Sequence, residues 1–181
     1  MEIPKYFKFQ NLDIKAGTGN IENSASAFDK INIKTSTGHI KVKDINSNIL
    51  NLSVSTGKVV VSNSLIDNEI KINVSTGKTY LNNTKCKNIT SNGDTGDIIL
   101  ENVIALNDIK IKRSTGDIIF DECDATNILV NTSTGDVTGE LLTEKIFFVQ
   151  SNTGRINVPK TMTGGKCEIN TDTGNIKIDI D

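Results

Sequence analysis

Several common devices of binding and catalysis are missing from this chain. Tryptophan is absent, and only two prolines and one histidine occur among 181 residues. Aromatic residues make up 4% of the chain, which deprives a carbohydrate site of its usual platforms. The three cysteines, Cys86, Cys123 and Cys167, include no Cys-x-x-Cys pair, so metal-ligand spacing is lacking. The lone His39 has no serine or cysteine placed beside it by the repeat, and a nucleophile–base pair finds no support. Twenty basic residues stand against 22 acidic ones, a net charge of −2, which excludes the basic excess of a general nucleic-acid binder. No apolar run reaches the roughly 18 residues of a membrane span, and no leader-type apolar segment opens the chain. The expectations are therefore no direct membrane insertion, no cofactor, and a cytoplasmic chain as it stands; a leader already removed would place it at the cell surface. Helical periodicity is missing too, since no stretch keeps apolar residues at three-four spacing over three turns.

What is present is a repeat. A Thr-Gly pair occurs nine times, with its glycine at Gly19, Gly38, Gly57, Gly77, Gly96, Gly116, Gly135, Gly154 and Gly174, always 19 or 20 residues apart. A fixed period in this range marks a solenoid. Apolar columns stand seven and five residues before the glycine and two and four after it, as in Ile109, Ile111, Ile118 and Phe120. They alternate with mostly polar columns, and period two is strand. The residues are largely β-branched, which suits a pleated, half-buried surface. The glycine reads as a corner, with Ser, Asp or Asn usually two residues ahead of it. The Thr ahead of each glycine is expected to point inward as a hydroxyl ladder. Six past the glycine, Asp44, Asn63, Asn83, Asn102 and Glu122 predict a second corner with a partial amide ladder. A weaker third segment follows, with Ile45, Ile66, Cys86, Val103 and Cys123 turned inward.

One such repeat cannot bury its own apolar face, whereas stacked parallel coils close a continuous core. The predicted fold is all-β: a single-stranded parallel β-solenoid, or β-helix, of about nine 19–20-residue coils over residues 11–181, with a right-handed coil preferred to a left-handed one. A propeller with two repeats per blade is the alternative; the units look alike rather than paired, which favours the coil. Residues 1–10 break the repeat and gather Pro4, Tyr6, Phe7 and Phe9; they read as an N-terminal cap segment. The cysteines fall several coils apart in inward columns and read as free and buried. Pro159 in the eighth coil favours an edge or bulge, and Gly164-Gly165 a flexible bend. The last residues, ending in Asp179 and Asp181, read as an acidic tip that discourages end-to-end stacking.

The strand leaving the glycine corner carries the most informative outward surface. Its basic part holds Lys41, Lys43, Lys58 and Lys78, and its acidic part Asp97, Glu101, Asp117, Asp121, Asp136 and Glu140. An apolar stripe of Val60, Tyr80, Ile99 and Ile119 runs between them. Two rods laid antiparallel on this face set Lys against Asp and Glu at both ends, so a protein partner, including a second copy in a homodimer, fits. Stacked carboxylates at Asp97, Asp117 and Asp136 repel unless a cation bridges them. Calcium would suit their oxygens, but the glycine–aspartate nonapeptide of calcium-binding β-rolls is absent, and screened surface acids are the preferred reading.

The Ser-Thr-Gly-Asp-Ile/Val motif, as in Ser114-Thr115-Gly116-Asp117-Ile118 and Ser133-Thr134-Gly135-Asp136-Val137, resembles a bacterial β-strand-repeat family that carries an adhesin label and is a domain of unknown function. The resemblance spans about residues 11–181. It implies a single-stranded β-solenoid and supplies no catalytic residues to carry over. The leading functional expectation is a non-enzymatic structural or interaction protein, a rod presenting a flat ladder surface to a protein partner. A cell-surface adhesion module binding glycan or host protein is the alternative. A carbohydrate-active enzyme comes last, because the acids lie on a flat ladder rather than in a groove.

Overall fold

A computed structural model describes residues 9–26 and 28–181. The predicted cap therefore lies mostly outside the described residues, and Phe9 and Gln10 already belong to the first strand. The strands are β1 (Phe9–Thr18), β2 (Ile21–Asn23), β3 (Phe28–Lys43), β4 (Asn46–Thr76), β5 (Thr79–Thr95), β6 (Ile98–Thr115), β7 (Ile118–Thr134), β8 (Val137–Leu141), β9 (Lys145–Thr153), β10 (Ile156–Asn157), β11 (Gly165–Thr173) and β12 (Ile176–Ile180). Every pairing is parallel, and each strand lies over its counterpart in another repeat. The fold is the all-β parallel solenoid that the period predicts, with no helix among the described residues.

The columns become layers. Ile70 pairs with Ile89 and Ile89 with Ile109, and all three are buried. The residues two and four past the glycine stack likewise, through Ile98 on Ile118 and Leu100 on Phe120. Each such side chain taken from water is worth roughly 1.5–3 kcal/mol, and only stacking supplies the cover. The third side closes the core with Ile45, Ile66, Cys86, Val103, Ala105, Cys123 and Ala125, all buried. It also absorbs the unequal repeat lengths. Register slips there between Ile66 and Glu69, and again between Ala105 and Asp108, where the longer coils hold their extra residue.

Both corners form where the sequence places them. Eight of the nine corner glycines have φ between +121° and +154°, a region that residues with a Cβ avoid. At the second corner Asp44, Asn63, Asn83, Asn102 and Glu122 all adopt φ of 46–56°, a conformation that Asn and Asp tolerate best. The amide ladder is real: Asn63 donates to Asp44 Oδ1 at 3.2 Å, Asn83 to Asn63 Oδ1 at 3.3 Å, and Asn102 to Asn83 Oδ1 at 2.6 Å. The Thr reading is overturned. Thr37, Thr56, Thr76, Thr95, Thr115 and Thr134 are exposed, and the inward column lies two residues earlier, at Thr35, Val54, Val74, Arg113 and Thr132. The chain turns outward over the whole bend, so side chains from two before to one past the glycine face solvent.

The coils do not stack in chain order. β11 pairs with β7 on one edge and β9 on the other, and β12 lies between β8 and β10. The ninth repeat is thus inserted between the seventh and the eighth, and the eighth is the outermost layer. Asp179 and Asp181 are consequently not a rod tip: Asp179 pairs with Glu140, and the Asp181 N–H donates to Leu141 O at 3.0 Å. Two segments pass each other to achieve this, and Gly164-Gly165 is their crossing point rather than a loose bend. A Cβ on Gly164 would meet Glu144 O at 1.8 Å, and one on Gly165 would meet Thr126 O at 1.6 Å. Lys145 pins the crossing. It is 2% exposed, and its Nζ donates to Asp124 Oδ1 at 2.7 Å. Pro159, which lacks an N–H, falls in the edge coil, where among the described residues no further layer asks for one.

Candidate functional site

The residues on the strand leaving the glycine corner share one face. Its central column runs in register from Glu22 through Lys41, Val60, Tyr80, Ile99, Ile119 and Thr138 to Lys177. Val60, Tyr80, Ile99 and Ile119 are half-buried, as are Lys43, Asp97, Glu101, Asp136 and Glu140, whereas Lys41, Lys58, Lys78, Asp117 and Asp121 are exposed. All fourteen predicted surface residues therefore lie together on coils two to seven. Sequence order hid Lys177 and Asp179, which the inserted ninth coil brings up against Thr138 and Glu140.

Much of the charge is already paired within the chain. Glu22 Oε1 takes Lys41 Nζ at 3.3 Å and Lys43 Nζ at 3.5 Å, and the Lys41 contact holds the Glu22 carboxyl below the ordinary carboxylate value. Lys78 Nζ meets Asp97 Oδ2 at 2.8 Å, at the junction of the basic and acidic halves. That contact lowers the Asp97 carboxyl and raises the Lys78 ammonium. Lys58 lies 5.7 Å over the Tyr80 ring, and the Tyr80 hydroxyl donates to Glu101 Oε2, which pushes the phenol up.

The column directly after the glycine has a structural task that its sequence did not disclose. The Asp117 N–H donates to Asp97 Oδ1 at 3.2 Å, the Asp136 N–H to Asp117 Oδ1 at 2.9 Å, and the Asn175 N–H to Asp136 Oδ1 at 2.7 Å. At the other end the His39 N–H donates to Asn20 Oδ1 at 3.0 Å and the Lys58 N–H to His39 Nδ1 at 3.1 Å. Short side chains with an acceptor therefore collect the bend N–H of the next layer, which accounts for Asn, His and Asp in this column. His39 Nδ1 accepts, so the ring carries its proton on Nε2. Among the described residues no three His, Cys, Asp or Glu side chains gather as a metal site.

The buried ionisable groups elsewhere read as structural. Cys86, Cys123 and Cys167 are free and buried, and burial pushes their thiols to about 12, 11 and 12. Arg113, 2% exposed, threads past Gly93 to donate from Nη1 to Val74 O at 2.9 Å. It fills the slot that Gly93 leaves empty, since a Cβ there would meet Arg113 Nη1 at 2.0 Å. Burial lowers its guanidinium, with Asp94 and Asp97 acting in the opposite sense.

A family profile described as Toastrack DUF4097 matches the chain twice, over residues 1–102 and 68–181. No curated protein matches the chain, and no solved structure does.

Proposed function

This chain belongs to the Toastrack DUF4097 family, a repeat β-fold domain of unknown function, and from that premise we propose that it is a non-catalytic interaction rod whose charged ladder face receives a protein partner. One observation carries the reading: Val60, Tyr80, Ile99 and Ile119 form a continuous half-buried apolar column, in register over four layers, with lysines toward one end and carboxylates toward the other. A flat parallel sheet face of this kind is a large, rigid template that needs little ordering on binding. Its charge order matches itself when reversed, so a second copy laid antiparallel places the Lys41 to Lys78 half over the partner's acidic half. The Lys78–Asp97 and Glu22 pairs already neutralise part of this charge within the chain, so the contact is salt-sensitive and modest. The adhesin label of the resembling family adds no residue to this reading.

Sedimentation velocity at low and high salt tests it. The expected result is a salt-sensitive association, strongest at low salt, that weakens as salt rises and is lost in Ile99→Lys. A chain that stays monomeric at high concentration and low salt sinks the homodimer. So does an Ile99→Lys variant that keeps the same salt-sensitive association.

A further inference from the structure

The outermost coil, like the first coil at the opposite end, has a neighbouring layer on one side only among the described residues. β9 pairs with β11 and β10 with β12, and among the described residues neither has a strand on its other side. Its inward columns are correspondingly open. Ile156 is 45% exposed, where Ile176 in the layer beneath is fully buried. Its outward columns are apolar as well, with Phe148 54% and Ile146 38% exposed. Of the eight large hydrophobic side chains exposed among the described residues, Leu142, Ile146, Phe148, Ile156 and Met162 belong to this coil or the turn that leads into it. Natural edge strands are ordinarily blunted by charge, proline or a bulge. From Ile146 to Thr153 this strand reads Ile-Phe-Phe-Val-Gln-Ser-Asn-Thr and contains no ionisable side chain. Its first residue, Lys145, is buried against Asp124 and unavailable as a gatekeeper.

We propose that this edge is a docking surface for a second copy of the same chain, β9 against β9 antiparallel about a two-fold axis, so that two rods join end to end. Self-pairing is what the side chains allow. Inward residues must oppose inward ones, and the register that sets Phe147 against Val149 places Phe148 against its own copy and Ile146 against Gln150. Each apolar position then meets an apolar or neutral one, and no like charges face each other. Pairing satisfies the open backbone groups and covers two unfinished core layers at once, in the manner of strand addition. The resulting interface is closed and two-fold and distinct from the charged face; the paired strands carry no charge from 146 to 153, and the nearby Lys166, 5.4 Å over the Phe148 ring, is paired with Glu168 in its own chain, so added salt weakens it little.

The test uses the full chain. Phe148→Cys places two thiols across the axis at a separation that directly opposed antiparallel residues share with disulfides. The wild type is the control, because Cys86, Cys123 and Cys167 are buried. Under mild oxidation Phe148→Cys is expected to form a covalent dimer, with Ile99→Cys made in parallel to report the charged face. A cross-linked Phe148→Cys variant supports the end-to-end pair whatever the Ile99→Cys variant does. Cross-linking of the Ile99→Cys variant alone overturns it while leaving the proposed function standing, and failure of both removes the end-to-end pair together with the homodimer on the charged face. Hydrogen exchange on the wild type guards against a variant that weakens the contact it probes. Amides of residues 146–152 should exchange roughly tenfold more slowly at high than at low protein concentration. Exchange that does not depend on concentration, or a salt-resistant dimer that survives Phe148→Lys, overturns the proposal.

Discussion

At the scale of single residues, the column after the glycine shows side chains serving the fold and the surface at once. Asp97 accepts from the Asp117 N–H with Oδ1 and from Lys78 with Oδ2, so both oxygens are engaged. Its folded carboxyl therefore titrates below the unfolded value of about 3.8, chiefly through the Lys78 contact. A carboxyl depressed by folding contributes stability that is fully present above its unfolded value and is lost as pH falls through the folded one. Thermal unfolding followed from pH 6 downward should thus show stability falling in the acid range, with a shallower fall in Asp97→Asn. Equal slopes for the two proteins would mean that the Lys78–Asp97 contact does not hold the junction. The contact is largely solvated, so the effect is small beside that of the core.

At the scale of elements, the corner carries the repeat. Gly116 has φ of +138°, and a Cβ on it would lie 2.3 Å from Gly96 O in the layer before. Two penalties therefore fall on Gly116→Ala: a backbone region closed to other residues, at about 1–3 kcal/mol, and a clash with main chain that cannot swing away. Gly19, with φ of +130°, has nothing within 4 Å of its Cβ position among the described residues. Gly19→Ala is expected to incur the first penalty only. Denaturant midpoints should fall in both and further in Gly116→Ala; equal losses would show that layer contact at the corner is immaterial. The corner was legible in the sequence because one residue type marks it at every turn. The outward Thr was not, because alternation extrapolated through a bend inverts the faces on its far side. Where the chain turns, two successive side chains can both point out.

At the scale of the whole molecule, the order of layers governs what each end presents. Apart from the Lys145–Asp124 contact at its start, the eighth coil is held to the rod by strand pairing with the ninth, which is clamped between β7 and β9. Removing residues 165–181 should leave residues 145–157 without a partner while the rod up to Leu141 keeps its ladder. Hydrogen exchange on the truncated chain reads this directly: amides of 145–153 are expected to lose protection and those of β6 and β7 to keep it. If 145–153 stays protected, the eighth coil can settle on the seventh, and the crossing at Gly164-Gly165 is not what holds it away. Insertion also replaces an acidic end by an apolar one, and so opens the end-to-end pairing that a terminal Asp179 and Asp181 would oppose.

The period, the strands, both corners, the inward columns and the charged face follow from local chemistry repeated at fixed spacing. Glycine and asparagine mark where the chain can bend, and β-branched residues mark which side is dry, wherever the layers end up. The neighbour of each layer is another matter. All the repeats offer nearly the same inward columns, so coil eight and coil nine are interchangeable by pattern, and a one-dimensional reading defaults to chain order. Only the folded chain decides between them, through close backbone approach at two adjacent glycines, a buried Lys145 on Asp124, and a proline that suits an uncovered edge. These are contacts between residues far apart in the repeat, and they exist only once the layers are in place.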